Sequence, residues 1–303
     1  MSAIATLREA PGLDAYLERL EDQLAEAVAS RPGLVAEIGS EALSSGGKRL
    51  RPLLVFLTAR PDDDPPVAAG VAIELVHMAS LVHDDLIDGA ELRRGRASVW
   101  SAYGPDAASA GGVYLFARAF AELAATGDAE GVGILAESSL ALVRGEALER
   151  GQRRRPDTTV EEYLERCALK TAKLFEAACL LGSRRAELGA FGLALGIAFQ
   201  IIDDCLDCAG QTVETGKIAG TDLREGIPTL PLLLAAQEDE VVRRALAGGS
   251  LDGALLRVAA SGAIEEAQEV ARQYAEQARA CLAGVDARDE LDAIADAVVE
   301  RTA

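Results

Sequence analysis

The chain has 303 residues, half of them hydrophobic but only 4% aromatic, with 26% charged and a formal net charge of −19. That length supports a sizeable core in one large domain or two small ones. Such acidity disfavours binding to nucleic acid or to anionic membrane surfaces and suits a protein that recruits cations.

Ala, Leu, Glu and Arg dominate and β-branched runs are scarce, a helical vocabulary. The opening stretch, "MSAIATLREAPGLDAYLERLEDQ", lacks the apolar core of a secretory signal, and no stretch reaches the roughly 20 apolar residues of a membrane span. A cytoplasmic location without stable membrane insertion is expected. Leu13, Tyr16, Leu17, Leu20, Leu24 and Val28 recur with helical period and predict a first amphipathic helix. "GGKRLRP" (46–52) then sets Lys48, Arg49 and Arg51 behind a glycine pair and ahead of a proline. "RPDDDPP" (60–66) reads as an exposed loop. An apolar helix follows and ends in "LVHDDLID" (81–88), after which "RRGRAS" (93–98), "ATGDAEG" (125–131) and "GQRRRPD" (151–157) mark breaks. Thr159 and Glu162 form a capping box at the start of a new helix. "LKTAK" supplies Lys170, Thr171 and Lys173, and another apolar helix carries "QIIDDCLD" (200–207). The connection over 209–228 is long, polar and rich in Gly and Thr, and a loop of that length in a compact domain points to function. Leu291, Ile294 and Val298 predict a last amphipathic helix. No alternating strand pattern, repeat or linker interrupts this series, so the reading is one all-α domain over 1–303. The five cysteines read as reduced, mostly buried thiols. "CLDC" has no second pair to complete a zinc site.

Two segments carry the chemistry. Asp84, Asp85 and Asp88, and again Asp203, Asp204 and Asp207, occupy positions i, i+1 and i+4 between apolar flanks. On a helix the first and last of each triad share a face. Unpaired carboxylates so placed repel and are costly to desolvate, whereas oxygen-only sets are what Mg²⁺ shares with substrate phosphates. A lone acidic triplet would be a solvated face; the identical repeat between apolar residues favours paired metal sites.

Phosphate held by a cation calls for basic side chains as well. Lys48, Arg51, Arg93, Arg94, Lys170 and Lys217 lie beside glycines or the triads. Each alone would be a surface salt-bridge donor; together they suit diphosphate. His77 and His83, the only histidines, fall on the first triad's helix, and at least one is expected to be a diphosphate donor.

"GGKRLRP", "VHMASLVHDDLIDGAELRRGR", "LKTAKLFEAA", "FQIIDDCLD" and "GKIAGTDLREGIPTLP" stand in the order and spacing of the trans-isoprenyl diphosphate synthases, or polyprenyl synthetases. The resemblance spans roughly residues 40 to 235. It implies an all-α isoprenoid-synthase bundle with a central cavity, normally a homodimer, that joins isopentenyl diphosphate head-to-tail to an allylic diphosphate (dimethylallyl, geranyl or farnesyl). By that resemblance Asp84 and Asp88, with Asp203 and Asp207, look like the Mg²⁺ ligands, and Asp85 and Asp204 complete the triads. Arg93, Lys170, Thr171, Gln200 and Lys217 resemble contacts to the allylic diphosphate. Lys48, Arg51, His77 and Arg94 resemble the isopentenyl-diphosphate pocket.

This chain departs from the family pattern at Ile227, where Lys is common, at Val113, where Asp is usual, and at Trp100, where many members have His. A lost charged hydrogen bond at Ile227 would cost about 1.5–3 kcal/mol. Five residues before Asp84, short-chain members often place an aromatic floor under the growing tail; Ala79 with Ser80 implies a product of geranylgeranyl length or longer. Two rivals are a class I terpene cyclase, which would lack "GGKRLRP", and a non-catalytic subunit of a heteromeric synthase, which tends to lose triad aspartates.

Overall fold

A computed structural model describes residues 10–60, 64–210, 220–285 and 287–301. The contacts of these residues divide into two compact units, one within 10–139 and 177–189, the other within 140–176 and 190–301. The division falls inside helices rather than in a linker, which is why the sequence shows no boundary.

The first unit holds α1 (Leu13–Ala29), α2 (Leu34–Ser44), α3 (Leu50–Thr58), α4 (Val67–Asp88), a short α5 (Val99–Tyr103) and α6 (Pro105–Ala124). The predicted α1 stripe is its inner face: Leu13, Tyr16, Leu20, Leu24 and Val28 are buried, and the Tyr16 hydroxyl donates to the Pro52 carbonyl at 3.1 Å. Along α4, residues Val71 to Val76 are all buried, and the charged side chain among them, Glu74, is paired with Arg49. Gly89, left-handed at φ 65°, stops it by donating to the Asp85 carbonyl.

A strand pair went unread in the sequence. Leu92–Arg93 and Arg96–Ala97 pair antiparallel as β1 and β2, with Arg93 opposite Arg96. Arg94 and Gly95, at φ 51° and 77°, are the two central residues of the turn, as a two-residue hairpin with a type I′ turn requires. Two-residue strands are too short to show alternation.

The second unit takes the end of α7 (Ala129–Gln152), then α8 (Val160–Cys167), a π-turn (Ala168–Ala172), the start of α9 (Lys173–Ser183) and most of α10 (Ala186–Ala209). It continues through α11 (Thr221–Glu225), α12 (Leu230–Glu238), α13 (Glu240–Leu246), α14 (Ala254–Ala260), α15 (Ala263–Ala280) and α16 (Arg288–Glu300). The capping box forms as expected: Glu162 N–H donates to Thr159 Oγ1 at 3.2 Å, and Thr159 N–H donates to Glu162 Oε2 at 2.9 Å. Ile201, Ile202, Cys205 and Leu206 of α10 anchor the core, packed with Leu230, Leu233, Val242 and Leu246. The five cysteines are free thiols, all but Cys281 buried.

The helices that carry the triads, α4 and α10, are long and apolar enough to cross a membrane by composition, yet most of each is buried within the protein. Both read as core helices whose last turns turn acidic.

Candidate active site

At the end of α4 the three aspartates part company. Asp85 is 3% exposed and accepts a forked contact from Arg93, whose Nη2 lies 2.5 Å from Oδ1 and whose Nε lies 3.0 and 3.1 Å from the two oxygens. Asp84 is half-buried and Asp88 exposed. The hairpin exists to bring Arg93 back: it returns the chain to α4 within a few residues, and a planar guanidinium fits a carboxylate two-pronged.

The same hairpin borders a pocket whose charged lining is mixed, Glu41, Glu74 and Asp85 beside Arg93 and Arg94, with His77 among them. Arg94, held left-handed at the turn, donates to the Ser45 carbonyl at 3.3 Å and also to that of Gly46. His77 faces this group. Burial, then the fields of Arg51, Arg94, Arg93 and Arg49, hold its imidazole well below the ordinary pKa, so it is neutral here. Burial likewise lowers Arg94, with Arg93 adding to the effect. A cluster of arginines of this kind can take an anion. Arg49, also left-handed at φ 49°, is not spare: it is 2.6 Å from Glu21 and 2.9 Å from Glu74. Lys48 is exposed and Arg51 partly buried at the start of α3.

His83 has a different task. Its Nε2 is 3.3 Å from the Ser109 carbonyl, and its ring stacks on Phe116 with centroids 5.9 Å apart. A Cβ at Gly112 would lie 2.2 Å from that nitrogen. His83 is therefore a packing residue between α4 and α6, and His77 is the pocket histidine. Ala79 is fully buried on α4, and the Ser80 hydroxyl turns back to the His77 carbonyl at 2.8 Å.

The second triad repeats the division of labour. Asp204 is 5% exposed and accepts from the Tyr163 hydroxyl at 2.6 Å and from Gln200 Nε2 at 2.8 Å. Burial pushes its carboxyl up to about 7, against the pull of Tyr163, Arg166 and Gln200. Asp203 is ion-paired to Arg301 at 2.9 Å, and that guanidinium lies over the Phe199 ring. Asp207 accepts from the Thr221 and Asp222 N–H groups, both at 3.1 Å. It thereby fastens the far end of the 209–228 connection. Lys217 lies outside the described residues.

Lys170 and Thr171 sit on the π-turn. Such a turn inside a helical run often marks a functional site, and here glycines hold it. A Cβ at Gly145 would be 2.4 Å from the Lys170 nitrogen, and one at Gly196 would be 2.5 Å from Ala172 Cα. The Thr171 hydroxyl donates to Gln200 Oε1 at 2.6 Å. The Lys170 ammonium is paired with Glu146 at 2.7 Å and Glu149 at 2.6 Å. Ile227 is 8% exposed, so it packs in the interior, and Val113, at 59%, stands on an outer face of α6.

The structure thus gathers Arg51, His77, Asp85, Arg93 and Arg94 in one unit, and Thr171, Gln200 and Asp204 in the other. Sequence reasoning missed Tyr163, Arg301, Glu146 and Glu149. Only Tyr163 left a trace, as a lone tyrosine just inside the capping box. Among the described residues no three His, Cys, Asp or Glu side chains converge as a ready-made metal cage. The donor set still fits Mg²⁺, because that ion binds through one or two carboxylates and completes its shell with phosphate oxygens and water.

The sequence profile of polyprenyl synthetases matches residues 32–252. The chain is 38% identical to heptaprenyl diphosphate synthase component 2 of Geobacillus stearothermophilus over 270 residues, 86% of this chain and 84% of that protein. It is also 38% identical to nonaprenyl diphosphate synthase of Mycobacterium tuberculosis, covering 88% of this chain and 87% of that one. Among solved structures, a polyprenyl synthase from Caulobacter crescentus complexed with calcium and isoprenyl diphosphate superposes with a TM-score of 0.92 at 33% identity, covering 100% of this chain and 99% of that one. With motifs, fold and near full-length similarity in agreement, the chain belongs to the polyprenyl synthetase family of trans-prenyltransferases.

Proposed function

We propose that the protein condenses isopentenyl diphosphate 1′-4 with an allylic diphosphate, working as a cytoplasmic homodimer and releasing a trans-polyprenyl diphosphate of geranylgeranyl length or longer. The observation that carries this reading is the repeated triad, in which the middle aspartate is buried and tied to protein donors while the outer two are not buried. Asp84 with Asp88, and Asp203 with Asp207, would hold Mg²⁺, while Asp85 and Asp204 fix the ends of their helices. When bound, Mg²⁺ supplies Lewis acidity that neutralises the leaving diphosphate.

The chain's own residues do the rest. Lys170, Arg93 and Lys217 would offset charge on the allylic diphosphate as its C–O bond ionises. Glu146 and Glu149 hold the Lys170 ammonium in reserve until an anion competes for it. Lys48, Arg51, Arg94 and neutral His77 would seat isopentenyl diphosphate, whose alkene attacks the allylic cation. A proton is then lost, and the departing diphosphate is the base we infer. The small residue at Ala79 and the heptaprenyl and nonaprenyl products named for two relatives support a longer chain.

Purified protein, Mg²⁺, isopentenyl diphosphate and each allylic primer in turn test the reading, with products sized by chromatography. Mg²⁺-dependent elongation is expected. Cyclic hydrocarbon would indicate a terpene cyclase. No turnover unless a second polypeptide is added would indicate a partner subunit, and either result overturns the proposal.

A further inference from the structure

An unbroken polar chain runs through the second unit: Tyr163 Oη to Asp204 Oδ2 at 2.6 Å, Asp204 Oδ1 to Gln200 Nε2 at 2.8 Å, and Gln200 Oε1 to Thr171 Oγ1 at 2.6 Å. Tyr163 is completely buried and Asp204 almost so. Each link fixes the sense of the next. The Tyr163 hydroxyl and the Gln200 amide nitrogen are the donors that face the two Asp204 oxygens. The Gln200 amide nitrogen is therefore turned to Asp204, and its oxygen is left pointing the other way, towards Thr171. That puts the oxygens of Gln200 and Thr171 side by side at the π-turn next to Lys170. Oxygen lone pairs stabilise a developing carbocation, and an amide nitrogen in their place would repel it.

We infer that Tyr163 is a positioning residue for ionisation: its phenol holds Asp204, Asp204 orients the Gln200 amide, and the amide presents its oxygen with that of Thr171 to the allylic cation. This rests on the prenyltransfer reading above and adds to it a residue outside every recognised motif. The local fold supports the role. Tyr163 sits in the first turn of α8, immediately after the capping box, so its backbone is fixed at the point where α8 begins. Burial and the neighbouring Asp204 charge hold the phenol protonated far above neutrality, as a permanent donor must be.

The test is Y163F, which removes one oxygen and keeps the ring. With Mg²⁺ saturating, kcat should fall about tenfold, as expected for one hydrogen bond to a charged group, while KM for the allylic diphosphate stays within about twofold. In a Gln200→Leu background the same substitution should cost nothing further, because the amide it orients is gone. Equal losses in both backgrounds, or a change in KM alone, would overturn the inference. A readout independent of turnover is the side-chain amide of Gln200, followed by NMR in the wild-type chain and assigned through its loss in Gln200→Leu. Slow hydrogen exchange is expected; rapid exchange of both protons sinks the relay even if Y163F fails to fold. If the wild-type chain shows no condensation while the amide is protected, the prenyltransfer reading fails and the relay stands as structure.

Discussion

At the scale of single residues, two aspartates one position apart carry opposite duties. Asp85 is buried and clamped by Arg93, whereas Asp84 is half-exposed. Asp85→Asn leaves the Arg93 guanidinium without its counter-charge, and breaking a buried pair this way costs about 3–5 kcal/mol. Asp84→Asn should cost less than about 1 kcal/mol while raising the Mg²⁺ concentration needed for half-maximal turnover. Urea denaturation of both variants, read beside Mg²⁺ titrations, separates the two roles; equal stability losses would contradict the division. His77 gives a pH-dependent counterpart. Its folded pKa is depressed by burial and surrounding arginines, so below about pH 6.5 the unfolded chain binds a proton that the folded chain refuses. The stability held above that pH is lost as pH falls from about 6.5 towards the folded value. His77→Gln should remove this dependence, so its melting temperature should gain on the wild type as buffers are stepped from pH 7 to 5. An unchanged difference across that range would show that His77 already titrates normally.

At the scale of elements, sequence and structure agree where the signal is local and part where it is not. The α1 stripe, the Thr159 capping box and the triad-bearing ends of α4 and α10 were legible because each is set by spacing within one helix. The β1–β2 hairpin was not, since two-residue strands have no periodicity. Nor was the partition of each triad into buried and outward carboxylates, because Arg93 and Tyr163 reach Asp85 and Asp204 from other elements. The π-turn was hidden for a related reason: its stability comes from the glycines that let α7 and α10 approach it. Gly145→Ala should therefore push Lys170 and Thr171 out of place. A Cβ forced against backbone costs about 1–3 kcal/mol, and we expect kcat to fall more than stability alone explains. Steady-state kinetics at a temperature well below the melting point decides it; a destabilised variant with wild-type kcat would mean the turn is only a packing feature. Along α4, Ala79→Phe should shorten the product. The site is fully buried, so the melting temperature is measured alongside, and an unchanged product from a folded variant would place the floor elsewhere.

At the scale of the whole molecule, the charge of −19 has to coexist with the proposed diphosphate pocket. Locally, His77 sits in the fields of Arg49, Arg51, Arg93 and Arg94, although Glu74 and Asp85 pair with Arg49 and Arg93 in the same region. The same long-range view explains two exposed apolar seams. On α7, Gly133, Leu140, Val143 and Ala147 are exposed at helical spacing, with Leu140 and Val143 both at 60%. On α6, Ala110, Val113, Ala117, Ala121 and Ala124 are exposed in the same rhythm, Val113 at 59%. Each seam repeats at intervals of three, four or seven residues, the spacing that packs one helix along another. Between Gly133 and Ala147 the exposed charges are Glu137 and Arg144, which leaves Leu140 and Val143 as the apolar centre of the α7 seam and favours burial against a second copy. The double substitution L140E and V143E adds like charges to opposing seams. It should convert a dimer to a monomer in light scattering coupled to size exclusion, with helical content by circular dichroism unchanged. A wild-type chain that runs as a monomer at micromolar concentration, or a double variant that stays dimeric, would remove the seam on α7 as the interface.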